Sequence, residues 1–390
     1  MDPIINLIKA RVDIEFSKLV DIRRHFHRHP ELSFEEEQTS LMIQKILTES
    51  QIEFQTGFCK HGIVGTIKAK NPESRIIALR ADMDALPIYE KNECAYKSLK
   101  PGVMHACGHD VHMTCLLGAL QILKDLKEEW EGTVKFIFQP AEEKLPGGAS
   151  LMIKEGVLEN PVPKVILGQH VQPGMDVGEV GLAPGAFMAS CDEIYITVKG
   201  KGGHAAQAHL CVDPILVAAH LLVGFQAIIS REKPAMLPSV LSFGTIHTDG
   251  GATNIIPDEV KLSGTFRSLD ESWRAYGHKR IEEVAFSICQ AYNASCEVVI
   301  QKGYPCLMND SDYTASFMGL SNSYLGMEHT RMIDPRLTSE DFAYYSHEIP
   351  AVFYRLGVGD VPGVHTSRFD IDENAIKTGV GLMAYAAIRI

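Results

Sequence analysis

"HMTCLLGALQILKDLKEEW" (residues 112–130), followed after two residues by "TVKFIFQ" (133–139), decides the fold class. The first run repeats its apolar residues at helical spacing. The second is rich in β-branched and aromatic residues, too short for a helix and suited to a buried strand. Helix and buried strand in succession are half of an α/β repeat, and the neighbouring segments supply the rest. Upstream lie amphipathic helices in "LIKARVDIEFSKLVDIRRHF" (7–26) and "EEEQTSLMIQKILTES" (35–50), then strands in "GIVGTIKA" (62–69) and "RIIALRADMD" (75–84). Downstream, "KVILGQH" (164–170) is another short apolar strand. The expected architecture is α/β, with a mixed, largely parallel sheet and helices on both of its faces.

The pattern changes between 187 and 300. Strand 193–200, helix 213–229, strands 239–247 and 259–268, helix 272–292 and strand 295–301 follow in the order β-α-β-β-α-β. This is the ferredoxin-like order, enough for a complete small domain. After it, "AVFYRLGVG" (351–359) and "ENAIKTGVGLMAYAAIRI" (373–390) return to the style of the first part. The expected domains are therefore 1–186 with 301–390, and an inserted satellite at 187–300.

With 390 residues and 45% hydrophobic content, the chain can bury two cores. The net charge of −12, with no basic stripe interleaved with aromatics, argues against nucleic acid as a partner. The N-terminal segment mixes acids with apolar residues, and no apolar run is expected to reach spanning length. A cytoplasmic protein with no signal peptide and no membrane partner is expected. Nine cysteines without regular spacing fit a reducing compartment, where most are small hydrophobes. Only Cys107 has company suggesting otherwise.

That company is "MHACGHDVHMT" (104–114), which holds His105, Cys107, His109, Asp110 and His112. Other candidate ligands fall at or just after strand ends: Asp82 and Asp84, Glu142 and Glu143, His170, and His365. Sites in open α/β sheets form at the carboxyl ends of strands, so these segments can converge. Cys107 and His109 precede a helix whose N-terminal dipole would favour a thiolate. Cys107, His109, Glu143, His170 and His365 are too many for one tetrahedral ion but suit two ions sharing a bridge. Of the pair Glu142–Glu143, one faces the metal and the other stands beside the attacking water as general base. The implied chemistry is metal-assisted amide hydrolysis.

The strings "RADMDALP", "MHACGHDVHMT", "FQPAEE", "GQHVQP", "GKGGHAA", "TNIIPDEV", "GTFRS", "TSEDFAYY" and "GVHTS" run in order along nearly the whole chain. Together they resemble the aminoacylase and hippurate hydrolase family of dinuclear-metal amidohydrolases, in the branch with N-acyl-amino-acid hydrolases, N-acetyldiaminopimelate deacetylases and plant indole-acetyl-amino-acid hydrolases. The resemblance implies two divalent ions per chain, zinc or manganese, with cobalt or nickel also tolerated. It implies that Cys107 bridges them, that His109 and His170 complete one site, and that Glu143 and His365 complete the other. Glu142 would be the general base and Asp84 would orient a ligand. His204, Asn254 and Arg267 are similar to residues that polarise the scissile carbonyl and hold the substrate carboxylate. A homodimer, or an oligomer built from dimers, through the satellite is implied, as are His204 reaching a partner's site and hinge closure over substrate. The implied substrates are N-acyl amino acids; a dipeptidase or carboxypeptidase, and a non-catalytic metal-binding relative, are the alternatives. Ala208 in "GGHAAQAH" and Lys144-Leu145-Pro146 in "EEKLPGG" depart from the family pattern near the expected acyl pocket.

Several conspicuous residues carry plainer expectations. His25, His27 and His29 read as the solvent-facing end of a helix stopped by Pro30, with a packing role near the site open to His27 or Glu31. His105 and His112 read as hydrogen-bonded structural residues, Asp82 as either a ligand-orienting acid or a strand-end cap, and Glu340 and Asp341 as caps of the helix expected there. "GKGGHAA" lacks the Lys-Ser/Thr ending of a phosphate loop.

Overall fold

In a computed structural model describing residues 2–390, the chain divides into two compact units. The larger comprises the chain up to Phe187 together with Met308–Asp334 and Asp341–Ile390; the smaller comprises Met188–Leu307 and Pro335–Glu340.

The larger unit is built on a mixed eight-stranded sheet. In spatial order its strands are Phe54–Phe58, Gly62–Lys68, Thr133–Gln139, Ile76–Asp82, Ile166–Gln172, Ala351–Gly357, Val180–Leu182 and Thr330–Met332. The four central strands, from Thr133–Gln139 to Ala351–Gly357, pair in parallel, and antiparallel pairs appear on either side. Three of these central strands are buried at every position, as expected where both faces are covered. One covering layer joins helices Pro3–Arg28, His109–Asp125 and Ala375–Arg389, the last two buried nearly all round. Parallel pairing points four strand ends the same way, which brings the segments after Asp82, Gln139, His170 and Gly357 to one edge.

The smaller unit holds an antiparallel sheet in the order Ser239–His247, Glu259–Ser268, Asp192–Lys199, Ser295–Lys302. Asp192–Lys199 alternates buried and exposed residues, so one face carries the core and receives helices Pro214–Ala227 and Glu271–Ala291. The segment Pro214–Glu232 corrects one expectation: by length and composition it is apolar enough to span a membrane, with mean hydropathy 1.5. Its inner face is Val217, Ala218, Leu221 and Phe225, which pack into this unit's core.

Candidate metal centre

Each donor at the strand-end edge is placed by a specific local device. Gly108 takes φ +83° immediately before helix His109–Asp125, and a Cβ there would lie 2.4 Å from a Val171 methyl. Only glycine accepts both conditions, and this turn presents Cys107 and His109 to the same space. His170 lies within its strand, where Nδ1 sits 2.7 Å from the Val171 carbonyl and therefore carries the proton. Its Nε2 lone pair is left 3.4 Å from Cys107 Sγ. His365 sits at φ +60°, its N–H bonded to the Ala106 carbonyl at 2.7 Å, with Nε2 3.2 Å from Glu143 Oε1.

The acid pair is held by its backbone. The N–H groups of Glu142 and Glu143 donate to the two carboxylate oxygens of Asp84 at 3.0 and 2.9 Å, and Ser33 Oγ adds a bond of 2.6 Å to Oδ2. Asp84 also lies 3.3 Å from His109 Nδ1, which turns His109 Nε2 towards Glu143 Oε1, 3.9 Å away. Ala141, just before the pair, is a non-glycine residue at φ +56°, a conformation costing roughly 1–2 kcal/mol.

Donor atoms of Cys107, His109 and His170 lie within 4.8 Å of one another; so do those of Cys107, Glu143 and His365, and those of His109, Glu142 and Glu143. Cys107 belongs to the first two groups. The donor set fits divalent metal ions: His109 Nε2 is buried with no hydrogen-bond partner, His170 offers an unprotonated nitrogen, and Glu143 Oε1 is buried beside them, likewise without a hydrogen-bond partner. Without an ion, burial and the nearby Glu143, Glu142 and Asp82 carboxylates push the Cys107 thiol well above its ordinary range. Desolvation thus outweighs the helix-terminus effect expected from the sequence, and a thiolate here requires positive charge.

With this geometry in place, the family model for peptidase family M20/M25/M40 matches residues 78–389. The chain belongs to that family. It is 39% identical to the N-acetyl-L-cysteine deacetylase of Bacillus subtilis, over 92% of this chain and 85% of that one. It is 36% identical to thermostable carboxypeptidase 2 of Saccharolobus solfataricus, over 95% of each. Among solved structures, the Bacillus subtilis YXEP protein, described as a dinuclear metal binding peptidase of the M20 family, superimposes with a TM-score of 0.85 at 32% identity, over 96% of this chain and 98% of that one. This M20 member is a metal-dependent hydrolase of amide bonds.

The remaining expected residues lie in the smaller unit. His204 pairs with Ile255 across a two-stranded ribbon, and the Asn254 carbonyl accepts the N–H of Ala205 at 2.9 Å, so His204 and Asn254 are neighbours. Arg267 is half-buried on its strand and donates to Thr265 Oγ1 and Ser339 Oγ.

Three plainer readings are overturned, those for His27, Asp341 and His105. His27 does not face solvent: it is fully buried, with Nδ1 2.8 Å from Asp110 and Nε2 3.2 Å from Glu90, beside Arg23, which bonds the same Asp110 oxygen at 2.9 Å. Only His25 and His29 are exposed. Asp341 caps no helix, since Ala343–Glu348 begins after Phe342 without a side-chain cap. Asp341 is instead buried against Arg80, Gln139 and the Ala149 N–H. Asp82 is buried and accepts from Arg80 at 2.6 Å and from His112 Nδ1 at 2.7 Å, while His112 Nε2 accepts the Val171 N–H at 2.9 Å. His112 is therefore hydrogen-bonded at both nitrogens, whereas His105 is buried with neither nitrogen bonded.

Proposed function

We propose that this protein hydrolyses the amide bond of N-acyl amino acids, releasing a carboxylic acid and a free amino acid. The observation that carries this reading is the pair of three-donor groups sharing Cys107, with Glu142 beside them. Cys107, His109, His170, Glu143 and His365 would hold two divalent ions, His109 and His170 serving one, Glu143 and His365 the other, and Cys107 standing in both donor groups; zinc or manganese would suit this mixture of thiolate, imidazole and carboxylate. Bound there, two divalent ions supply Lewis-acid polarisation of the carbonyl and lower the pKa of water.

The protein's own residues do the rest. Glu142 takes the proton of the attacking water and returns it to the leaving amine, its Oε1 held 3.4 Å from the Asp341 N–H. Asp84 fixes the backbone of both acids and orients His109, as imidazole ligands require. For His204, Asn254 and Arg267 the assignment follows the family motifs: polarisation of the scissile carbonyl by the first, and recognition of the substrate by the other two, Arg267 offering a fork suited to a carboxylate. The smaller unit is read as an inserted ferredoxin-like satellite, in keeping with its strand order. Its apolar helix leaves Ile215, Leu216 and Val223 exposed, the last by 73%, and this face is the proposed surface for a homodimer.

The likeness to a carboxypeptidase supports a second reading, in which the acyl group is itself an amino acid or peptide. One experiment separates them. Protein loaded with manganese or zinc is incubated with N-acetyl, N-benzoyl and indole-acetyl amino acids and with dipeptides, and amine release is followed for wild type and Glu142→Ala. Cleavage of N-acyl amino acids that falls by about 10²–10⁴-fold in the variant is expected. Cleavage of dipeptides alone establishes the second reading, and no release from any amide contradicts both.

A further inference from the structure

We propose that Glu36 is a positioning residue for the Glu142–Glu143 pair, acting through the backbone of Ala141. This inference rests on the two-ion hydrolase reading above. Three successive N–H groups, those of Ala141, Glu142 and Glu143, all end on carboxyl oxygens. Asp84 takes the second and third, and Glu36 Oε1 takes the first at 2.7 Å.

Ala141 is the residue most in need of such a hold. It turns the chain from strand Thr133–Gln139 into the acid pair, at a positive φ that a residue with a Cβ leaves when nothing fixes it. Its carbonyl is fixed as well, accepting the Gly148 N–H at 2.9 Å. With the Ala141 N–H released, the peptide preceding the pair is free to rotate, and the two acids lose their common aim at His109.

Glu36 is placed for this task. It is fully buried just before helix Glu37–Glu49, its carbonyl accepts the Ser40 N–H, and its second oxygen, Oε2, has no hydrogen-bond partner. Burying a carboxyl with one oxygen unbonded costs free energy that an apolar side chain would not. Burial and the Asp84 carboxylate push Glu36 up to about 8, and a glutamine keeps the acceptor oxygen that meets the Ala141 N–H.

The test compares Glu36→Met, which keeps the volume and removes the acceptor, with Glu36→Gln, which keeps the acceptor oxygen. Mn²⁺ is titrated calorimetrically into the metal-free proteins, and kcat and KM are measured on the best amide substrate of the wild type. In Glu36→Met the weaker Mn²⁺ site is expected to lose about 10–100-fold in affinity, and kcat to fall by a similar factor with KM changed less than about threefold. Glu36→Gln is expected to restore both to within about threefold. Wild-type values in Glu36→Met, or a folded Glu36→Gln that has lost affinity or kcat, would overturn the proposal. Should Glu36→Met fail to fold, Glu36→Gln alone still decides by that criterion. Absence of any amide hydrolysis by wild type defeats the hydrolase reading, while the Mn²⁺ affinities still decide the role of Glu36.

Discussion

Arg80 and Asp341, 261 positions apart in the chain, form an ion pair of 2.7 Å with both side chains buried. Arg80 also bonds Asp82 and Gln139, and Asp341 also receives Gln139 and the Ala149 N–H, so the pair ties the Ile76–Asp82 strand end to the loop carrying the acids. Removing Asp341 leaves Arg80 with Asp82 as its carboxylate, whereas removing Arg80 takes the cation from both acids. Asp341→Ala is expected to cost about 1–3 kcal/mol, as donors of Arg80, Gln139 and Ala149 lose their acceptor, and Arg80→Met to cost more, about 3–5 kcal/mol, because Asp82 and Asp341 then stay buried without Arg80. Denaturant unfolding followed by Trp130 fluorescence in a Trp273→Phe background measures both, and a loss under about 1 kcal/mol in Asp341→Ala would count against the pair.

Gly148 closes the loop that follows the acids. A Cβ there would lie 1.8 Å from the Pro140 carbonyl oxygen, a backbone atom that cannot step aside alone. Gly148→Ala is therefore expected to displace Glu142 and Glu143 and to lower kcat/KM by on the order of 10²-fold. A steady-state assay on purified, folded variant checks this; wild-type kcat/KM would show that the loop tolerates the shift.

Asp84 supports three neighbours at once. Asp84→Ala frees the N–H groups of Glu142 and Glu143 and removes the partner of His109 Nδ1, so metal affinity is expected to fall by about 10–100-fold. Metal content after dialysis against a graded chelator series reads this directly.

In the smaller unit, Asp192 is buried between Arg274, at 2.5 and 2.9 Å, and His278, at 2.7 Å. These partners hold its carboxyl down at about 2, against an ordinary value of 3.8. A depressed carboxylate stabilises the fold above its unfolded value and loses that contribution as pH falls through the folded one. On the order of 2 kcal/mol should therefore be present above pH 4 and disappear towards pH 2. Unfolding monitored by Trp273 fluorescence in a Trp130→Phe background, with Asp192→Asn as reference, should show the two proteins converging over that window. A constant difference from pH 5 to pH 2 would contradict the assignment.

How far the molecule can be read from sequence depends on where each residue finds its compensation. The clustering of Cys107, His109, Glu143, His170 and His365 is legible because chemistry-bearing residues at several strand ends need a common explanation, and a parallel sheet supplies one. The mixed sheet was visible in the runs 75–84, 133–139 and 164–170 for a related reason: nothing but burial on both faces suits them. His27 was misread although a signal was available, since Leu19, Ile22, Arg23, Phe26 and His27 share one helical face and that face is the buried one. Asp341 and Glu36 gave no comparable signal. Their partners, Arg80 and the Ala141 N–H, are far away in the chain and meet them only in the fold.

The most direct measurement is the anomalous difference map of crystals of the manganese- or zinc-loaded protein, recorded at an energy that isolates the added metal. Two peaks about 3.5 Å apart are expected, with Cys107 Sγ between them, one reached by His109 and His170 and the other by Glu143 and His365. A single peak, or two peaks that do not share Cys107, would contradict this assignment.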